Sequence, residues 1–253
     1  MFRFFVFILI TFLATPGHAG IDMRADAAAM WGYSKYDGNS LNQAGDYTLF
    51  TESQYQLGGR IQFSGLDGGY ALIALRQNIK FKPITNTQFT IYKDAPTDFH
   101  SLELQKYVRL QVMNNYLKAD LRFFAGAEEK PIVDYQFLQF GIKKVTTFNF
   151  GAKLDFPILR KKALDIFEIK NGLFASLELR HTPNTSTSRE EKLHETKGRI
   201  GVSYHQMCWI LECSVEAQYG AFTQTTQQFS VSGQEVNYFL RASFVSDNPN
   251  IGF

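Results

Sequence analysis

Phe148-Asn149-Phe150-Gly151-Ala152-Lys153-Leu154-Asp155-Phe156 decides how this chain is read. Every even position is apolar, and the odd ones are Asn, Gly, Lys and Asp. Successive side chains of a β-strand point to opposite faces, so a period of two gives a strand with one apolar and one polar face. The same pattern recurs towards the carboxyl end, where Val236, Tyr238, Leu240, Ala242 and Phe244 share one face and Arg241 lies on the other. It recurs upstream in Leu117, Ala119, Leu121, Phe123, Ala125 and Ala127, interleaved with Asp120 and Arg122.

Extended along the chain, this reading gives twelve candidate strands: 21–33, 46–64, 70–82, 102–113, 116–128, 135–145, 148–156, 163–169, 173–181, 198–207, 213–222 and 236–244. Most are about ten residues long, the length a tilted strand needs to cross a bilayer (about 9–11 residues). The weakest is 163–169, because Asp165 to Lys170 also fits an amphipathic helix; ten strands is the alternative count. On 70–82 the apolar face is read as Ala71, Ile73, Leu75, Ile79 and Phe81, which puts Arg76 on the polar side.

Connections between these segments sort by length. Those at 65–69, 114–115, 146–147, 171–172 and 209–212 are tight, and Asn171-Gly172 is a strong hairpin signal. Those at 37–45, 83–100, 129–134, 157–162, 182–197 and 223–233 are often longer and more polar. Pro83, Pro96, Pro131, Pro157 and Pro183 fall in the second set, where no ladder hydrogen bond is lost.

The chain has 253 residues, is 45% apolar and 20% charged, and carries a formal charge of +2, so it is expected to fold and gives no electrostatic reason to bind nucleic acid. The first residues read as an export signal: Arg3, then the uncharged apolar run Phe4–Ala14, then Gly17-His18-Ala19 as a cleavage site. The expected organisation is a signal peptide at 1–19, a barrel at 20–245 and a short tail at 246–253. Beyond the signal no run approaches the roughly 18 apolar residues of a membrane helix, so the remainder is either soluble or crosses a membrane as strands.

With its signal, alternating strands, sorted connections and final strand ending at Phe244, the chain resembles bacterial outer-membrane β-barrel proteins. The resemblance covers all of 20–245 and is to a class. It implies an all-β, transmembrane, antiparallel up-and-down barrel in the outer membrane of a Gram-negative cell. Outer-membrane lipid and the barrel assembly machinery are then its partners, with small polar solutes as cargo. The tail after Phe244 departs from the usual pattern of ending on that strand.

In such a barrel the apolar faces meet lipid and the polar faces line the interior. The expected lining has Arg24, Glu52, Arg60 and Arg76 on the first strands. Glu103, Arg109, Asp120 and Arg122 follow in the middle. Glu178, Arg180, Arg199, Glu216 and Arg241 complete it. Two roles fit these charges: a salt-bridged filling that holds the barrel shape, or a narrow pore whose charges select solutes. Arginine suits carboxylate or phosphate contact. Lys106 falls on the lipid face, which requires a place near an interface where its amine snorkels. The aromatics Trp31, Tyr33, Tyr47, Phe63, Phe81, Phe148, Phe156, Tyr204, Tyr219 and Phe244 fall towards strand ends, as interfacial girdles do, although strand propensity alone also favours them.

The functional expectation is therefore a narrow porin-like channel for small polar solutes. The competing readings are a closed barrel using 83–100 and 182–197 as binding loops, a lipid-modifying barrel enzyme, and a soluble exported sandwich. Ser203 and His205 share one strand face, as a nucleophile and its base would, but no acid is fixed by a motif, and neither is assigned a catalytic role. His100 and His194 match no metal-ligand spacing, and no Gly-rich phosphate loop is present, so no metal or cofactor is expected. Cys208 and Cys213 flank a tight turn in an exported chain, where a disulfide closing the hairpin is expected and two unpaired thiols are the alternative.

Overall fold

The computed structural model describes residues 21–40, 43–65, 68–83, 97–112, 117–136, 139–160, 172–183, 193–208, 211–226 and 229–246. The expected signal peptide, the strand at 163–169, the 113–116 turn and nearly all of the tail lie outside them. Ten strands follow in order: β1 (Ile21–Ser40), β2 (Gln43–Gly65), β3 (Gly68–Pro83), β4 (Asp98–Val112) and β5 (Leu117–Gln136). Then come β6 (Gln139–Arg160), β7 (Gly172–Thr182), β8 (His194–Cys208), β9 (Leu211–Thr225) and β10 (Phe229–Ser246).

Each strand pairs antiparallel with its sequence neighbours, and β1 closes on β10 from Met23 opposite Ser246 to Ser40 opposite Phe229. The architecture is thus an up-and-down barrel, with no sheet edge over the closed part. The described residues form ten strands, the smaller of the two expected counts: the break proposed at 146–147 does not occur, the one proposed at 129–134 falls instead at 137–138, and β6 pairs directly with β7 across the 161–171 connection. Thr146 and Thr147, read as a turn, pair with Glu129 and Glu128 in mid-strand, so 139–145 and 148–156 are one strand, β6, and 135–136 end β5. Residues 129–134 likewise belong to β5. The side-chain phase never changes at these places. Apolarity of the outward face ends there, because the strands continue past the apolar band into water.

Three of the prolines expected in connections therefore lie within strands, Pro83 as the last residue of β3. Pro131 stands beyond Glu128, the last β5 residue paired with β4, where one side of the strand has no ladder neighbour. Pro157 sits at a register shift between β6 and β7, where an irregular ladder tolerates a missing N–H. The 161–171 connection starts from the end of the barrel that carries the 66–67 and 209–210 connections, opposite to the expected side for 157–162. Gly172 opens β7 with φ of 125°, a backbone region that favours glycine.

The polarity is inverted relative to a soluble protein. Outward positions are large, apolar and uncovered: Leu102 is 43% exposed, Leu179 60%, Ile200 57% and Leu240 52%. Inward positions bury Glu103, Arg122, Lys130, Asn149 and Glu235. On β6 the outward apolar run from Phe148 to Phe156 spans roughly 20 Å of height for a strand tilted about 40°, close to the apolar band of a membrane barrel.

Phase on nearly every strand follows the sequence reading; β3 is the exception. Ala71 and Ile73 are buried inside against Tyr107, with Leu75 packed on them, so the face expected to meet lipid lines the lumen. Arg76 is consequently outward, 48% exposed and paired with Asp98 at 3.1 Å. Leu72 and Ala74 supply enough apolar surface outside for either phase to look plausible. A bulge at Gln54, between the Ser53–Ile79 and Tyr55–Asn78 pairs, decouples the upper part of β2 from its lower part. Lys106 does face outward as expected. It pairs with Tyr70, two positions from the tight β2–β3 turn, and its amine lies 5.8 Å from the Tyr70 ring centre.

Candidate functional site: a charged lumen with a cationic collar

Inward phase on neighbouring strands brings like charges side by side, and diagonals pair them with opposite ones. Asp120 lies opposite Asp155 and Arg122 opposite Lys153, while the salt bridge runs diagonally from Arg122 to Asp155 at 2.6 Å. Lys153 adds a longer contact to Asp155 at 3.7 Å. A buried charge without a partner would be very costly, which explains the dense pairing.

Further pairs reach between strands that are not adjacent. Arg180 on β7 bridges Glu103 on β4 at 2.9 Å and Glu128 on β5 at 3.0 Å, and it holds Glu178 at 3.2 Å. Its guanidinium also lies 4.6 Å from the Phe124 ring centre. Lys130 on β5 bonds Glu195 on β8 and donates to the Thr182 hydroxyl at 2.8 Å. Arg199 and Lys197 both reach Glu235 at 2.6 Å, and Arg199 extends to Glu178 at 3.4 Å. Arg241 bridges Glu216 at 3.2 Å.

Among the described residues the lumen holds cavities of about 250 Å³ and about 130 Å³. The residues lining both are Arg60, Arg122, Lys153, Arg241 and Gln218. This shared boundary is a collar of four cations and one amide. The Nε atoms of Arg60 and Arg122 are buried without a protein hydrogen-bond partner.

Of the expected lining, Arg60, Glu103, Arg122, Glu178, Arg180, Arg199, Glu216 and Arg241 border these cavities. Asp120 lies on the same wall and acts electrostatically on Arg122. Arg109 pairs with Asp120, and Arg24 with Arg60, in backbone register. Glu52 pairs with Lys80 beyond the bulge, out of phase with Gln56 and Arg60. Arg76 is outside. The sequence reading missed Glu128, Lys130, Lys153, Glu195, Lys197 and Glu235. Each continues an inward phase already recognised on its strand, and several had been assigned to loops.

Above the apolar band, at the end of the long connections, a polar rim ties β3 to β6. Asp98 accepts from Arg76 at 3.1 Å and from Asn78 at 3.0 Å. Glu129 accepts from the His100 backbone at 2.8 Å and from Lys144 at 3.2 Å. His194 packs edge-on against His181 at 4.9 Å, so His100 on β4 and His194 at the start of β8, both read as loop residues, have separate partners. No group of three or more metal-ligating side chains occurs among the described residues. Cys208 and Cys213 are free thiols, so the expected bond is not formed. They stand diagonally across the β8–β9 hairpin, Cys208 opposite Leu211 and Cys213 opposite Gln206. Direct cross-strand opposition, the closer geometry, is absent.

An apolar outer wall around an ionic interior fits a lipid environment and no aqueous one. The chain is a transmembrane-type β-barrel. No family model matches it, and no curated protein does. Among solved structures it is similar to the outer membrane protease OmpT from Escherichia coli, at 8% identity and TM-score 0.42, covering 90% of this chain and 97% of that one. It is also similar to the outer membrane protein AlkL, at 10% identity and TM-score 0.39, covering 92% and 94%. An outer membrane channel from Pseudomonas putida F1 stands at 10% identity and TM-score 0.39, covering 92% and 97%. No residue role or activity is carried over from these barrels.

Proposed function

We propose that this barrel sits in a bacterial outer membrane and passes small polar solutes through its lumen, with the cationic collar as the narrowest selective point. The observation that carries this reading is the pair of cavities that abut at Arg60, Arg122, Lys153, Arg241 and Gln218. Four cations concentrated at one boundary favour anionic solutes, because charge near a low-dielectric wall acts strongly on what enters. The cavities are small, which confines the cargo to a few heavy atoms at a time.

A second reading, a closed barrel, draws support from the salt bridges that cross the interior, Arg180 to Glu103 and Lys130 to Glu195. Swelling of liposomes containing the refolded protein separates the two. Passage predicts swelling in isotonic acetate or glycine and none in a trisaccharide. Absence of swelling in every small solute, from protein that is demonstrably folded, contradicts passage and supports the closed barrel.

A further inference from the structure

Ser203 and His205 are two apart on β8 and share its inward face; Glu212 is an inward residue at the start of β9, just past the intervening turn. The Ser203 hydroxyl lies 2.9 Å from His205 Nε2, and His205 Nδ1 lies 2.8 Å from Glu212 Oε1. A carboxylate only accepts, so Nδ1–H donates to Glu212 and Nε2 is left to accept from the hydroxyl. His205 is 6% exposed and Glu212 5%, and the imidazole packs edge-on against Phe174 at 5.5 Å and 87°. The ring is therefore fixed on both sides. All three polar residues line the 130 Å³ cavity.

We propose that Ser203, His205 and Glu212 form a lumenal ester-hydrolysing site whose substrates are small esters bearing a negative charge. Hydroxyl, imidazole and carboxylate in a line, with the hydroxyl on a cavity, is the arrangement by which a serine becomes a nucleophile. In the first half-reaction the Ser203 oxygen bonds to the ester carbonyl carbon while His205 Nε2 takes the hydroxyl proton. The bond from that carbon to the alcohol oxygen then breaks, and the departing alcohol takes the proton from His205. Water attacks the acyl-serine with His205 as base, releasing the acid and restoring Ser203. Electrons and protons balance with water as the sole co-reactant.

The substrate class follows from the rest of the cavity. Arg60, Arg122, Lys153 and Arg241 line it, against the carboxylates Asp155, Glu216 and Glu212. Asp155 is engaged by Arg122 and Glu216 by Arg241, and the Nε atoms of Arg60 and Arg122 still lack a protein hydrogen-bond partner. Those donors suit a substrate carboxylate or phosphate, and the surrounding cations favour the oxyanion that forms during attack. The cavity volume limits the acyl group to a short chain. The inference requires only that this cavity be reached from solvent; it holds whether or not solutes pass through the barrel.

The experiment treats the refolded full chain, its fold checked by heat-modifiable gel migration, with a fluorophosphonate probe and with two chromogenic esters. These are para-nitrophenyl acetate and the mono-para-nitrophenyl ester of succinic acid. Expected are a covalent adduct mapped by peptide mass to Ser203, and faster hydrolysis of the succinate ester. Label should be lost in Ser203→Ala, and turnover should fall on the order of a hundredfold in Glu212→Gln. Folded protein that takes no label, or an adduct on another residue, overturns the proposal, and peptide mapping of the parent decides even if Ser203→Ala does not fold. Conductance of the same preparation reports on passage separately, so each reading fails by its own measurement.

Discussion

At the scale of single residues, the Arg122–Asp155 pair gives the sharpest forecast. Both side chains are nearly inaccessible, 8% and 5% exposed, and 2.6 Å apart. Asp155→Ala leaves a guanidinium without its counter-charge beside Lys153, which breaks a buried pair from one side. The expected loss is about 3–5 kcal/mol, read as a lower urea midpoint for unfolding from lipid vesicles. Arg122→Met with Asp155→Leu removes both charges and should recover most of it. Gly151 supplies a second test. A Cβ there would lie 2.1 Å from the Leu179 carbonyl oxygen and 2.5 Å from the Phe124 ring. Gly151→Ala should cost about 1–3 kcal/mol by overpacking and displace Phe124 from beneath Arg180. Gly59→Ala, where a Cβ meets nothing within 4 Å, should leave the thermal midpoint nearly unchanged.

Among the elements, β3 and β6 explain where sequence patterning reaches its limit. On β10 the lipid face (Val236, Tyr238, Leu240) and the lumen face (Glu235, Asn237, Arg241) differ so strongly that phase is unambiguous. On β3, Ile73 and Leu75 point in while Leu72 and Ala74 point out, so apolarity no longer distinguishes the faces, and Arg76 was placed on the wrong one. The bulge at Gln54, which local composition does not announce, shifts the β2 register between Glu52 and Gln56. On β6, alternation persists through Lys144 and Thr146, but the outward residues turn polar where the strand leaves the apolar band. A change of solvent was thus mistaken for a change of structure, and Lys130 on β5 was hidden by the same error. The Ser203–His205 pair was legible from its spacing; Glu212 was not, because its place depends on hairpin register.

The rim between β3 and β4 carries a pH dependence. The Asn78 amide first, and the Arg76 guanidinium second, hold the Asp98 carboxyl below its usual value of 3.8. A lowered carboxyl pKa contributes stability above the ordinary value and loses it as pH falls through the lowered one. Protection of the Ile79 amide, which donates to the Thr97 carbonyl at 2.8 Å, should therefore hold at about pH 5 and decline below about pH 4. Asp98→Asn should remove most of that pH dependence in hydrogen-exchange measurements.

For the molecule as a whole, inverted polarity ties sequence to function. Lipid takes the place of a hydrophobic core, so the inside is free to hold charges, and those charges must pair across the lumen. The pairing leaves two cavities and a collar whose four cations stand between them. Single-channel recording of the refolded barrel in a planar bilayer tests this claim most directly. The account predicts discrete conductance steps with anion preference, and a shift of the reversal potential towards cations in Arg60→Gln. Folded protein that gives no steps, or steps whose selectivity ignores the Arg60 change, would contradict it.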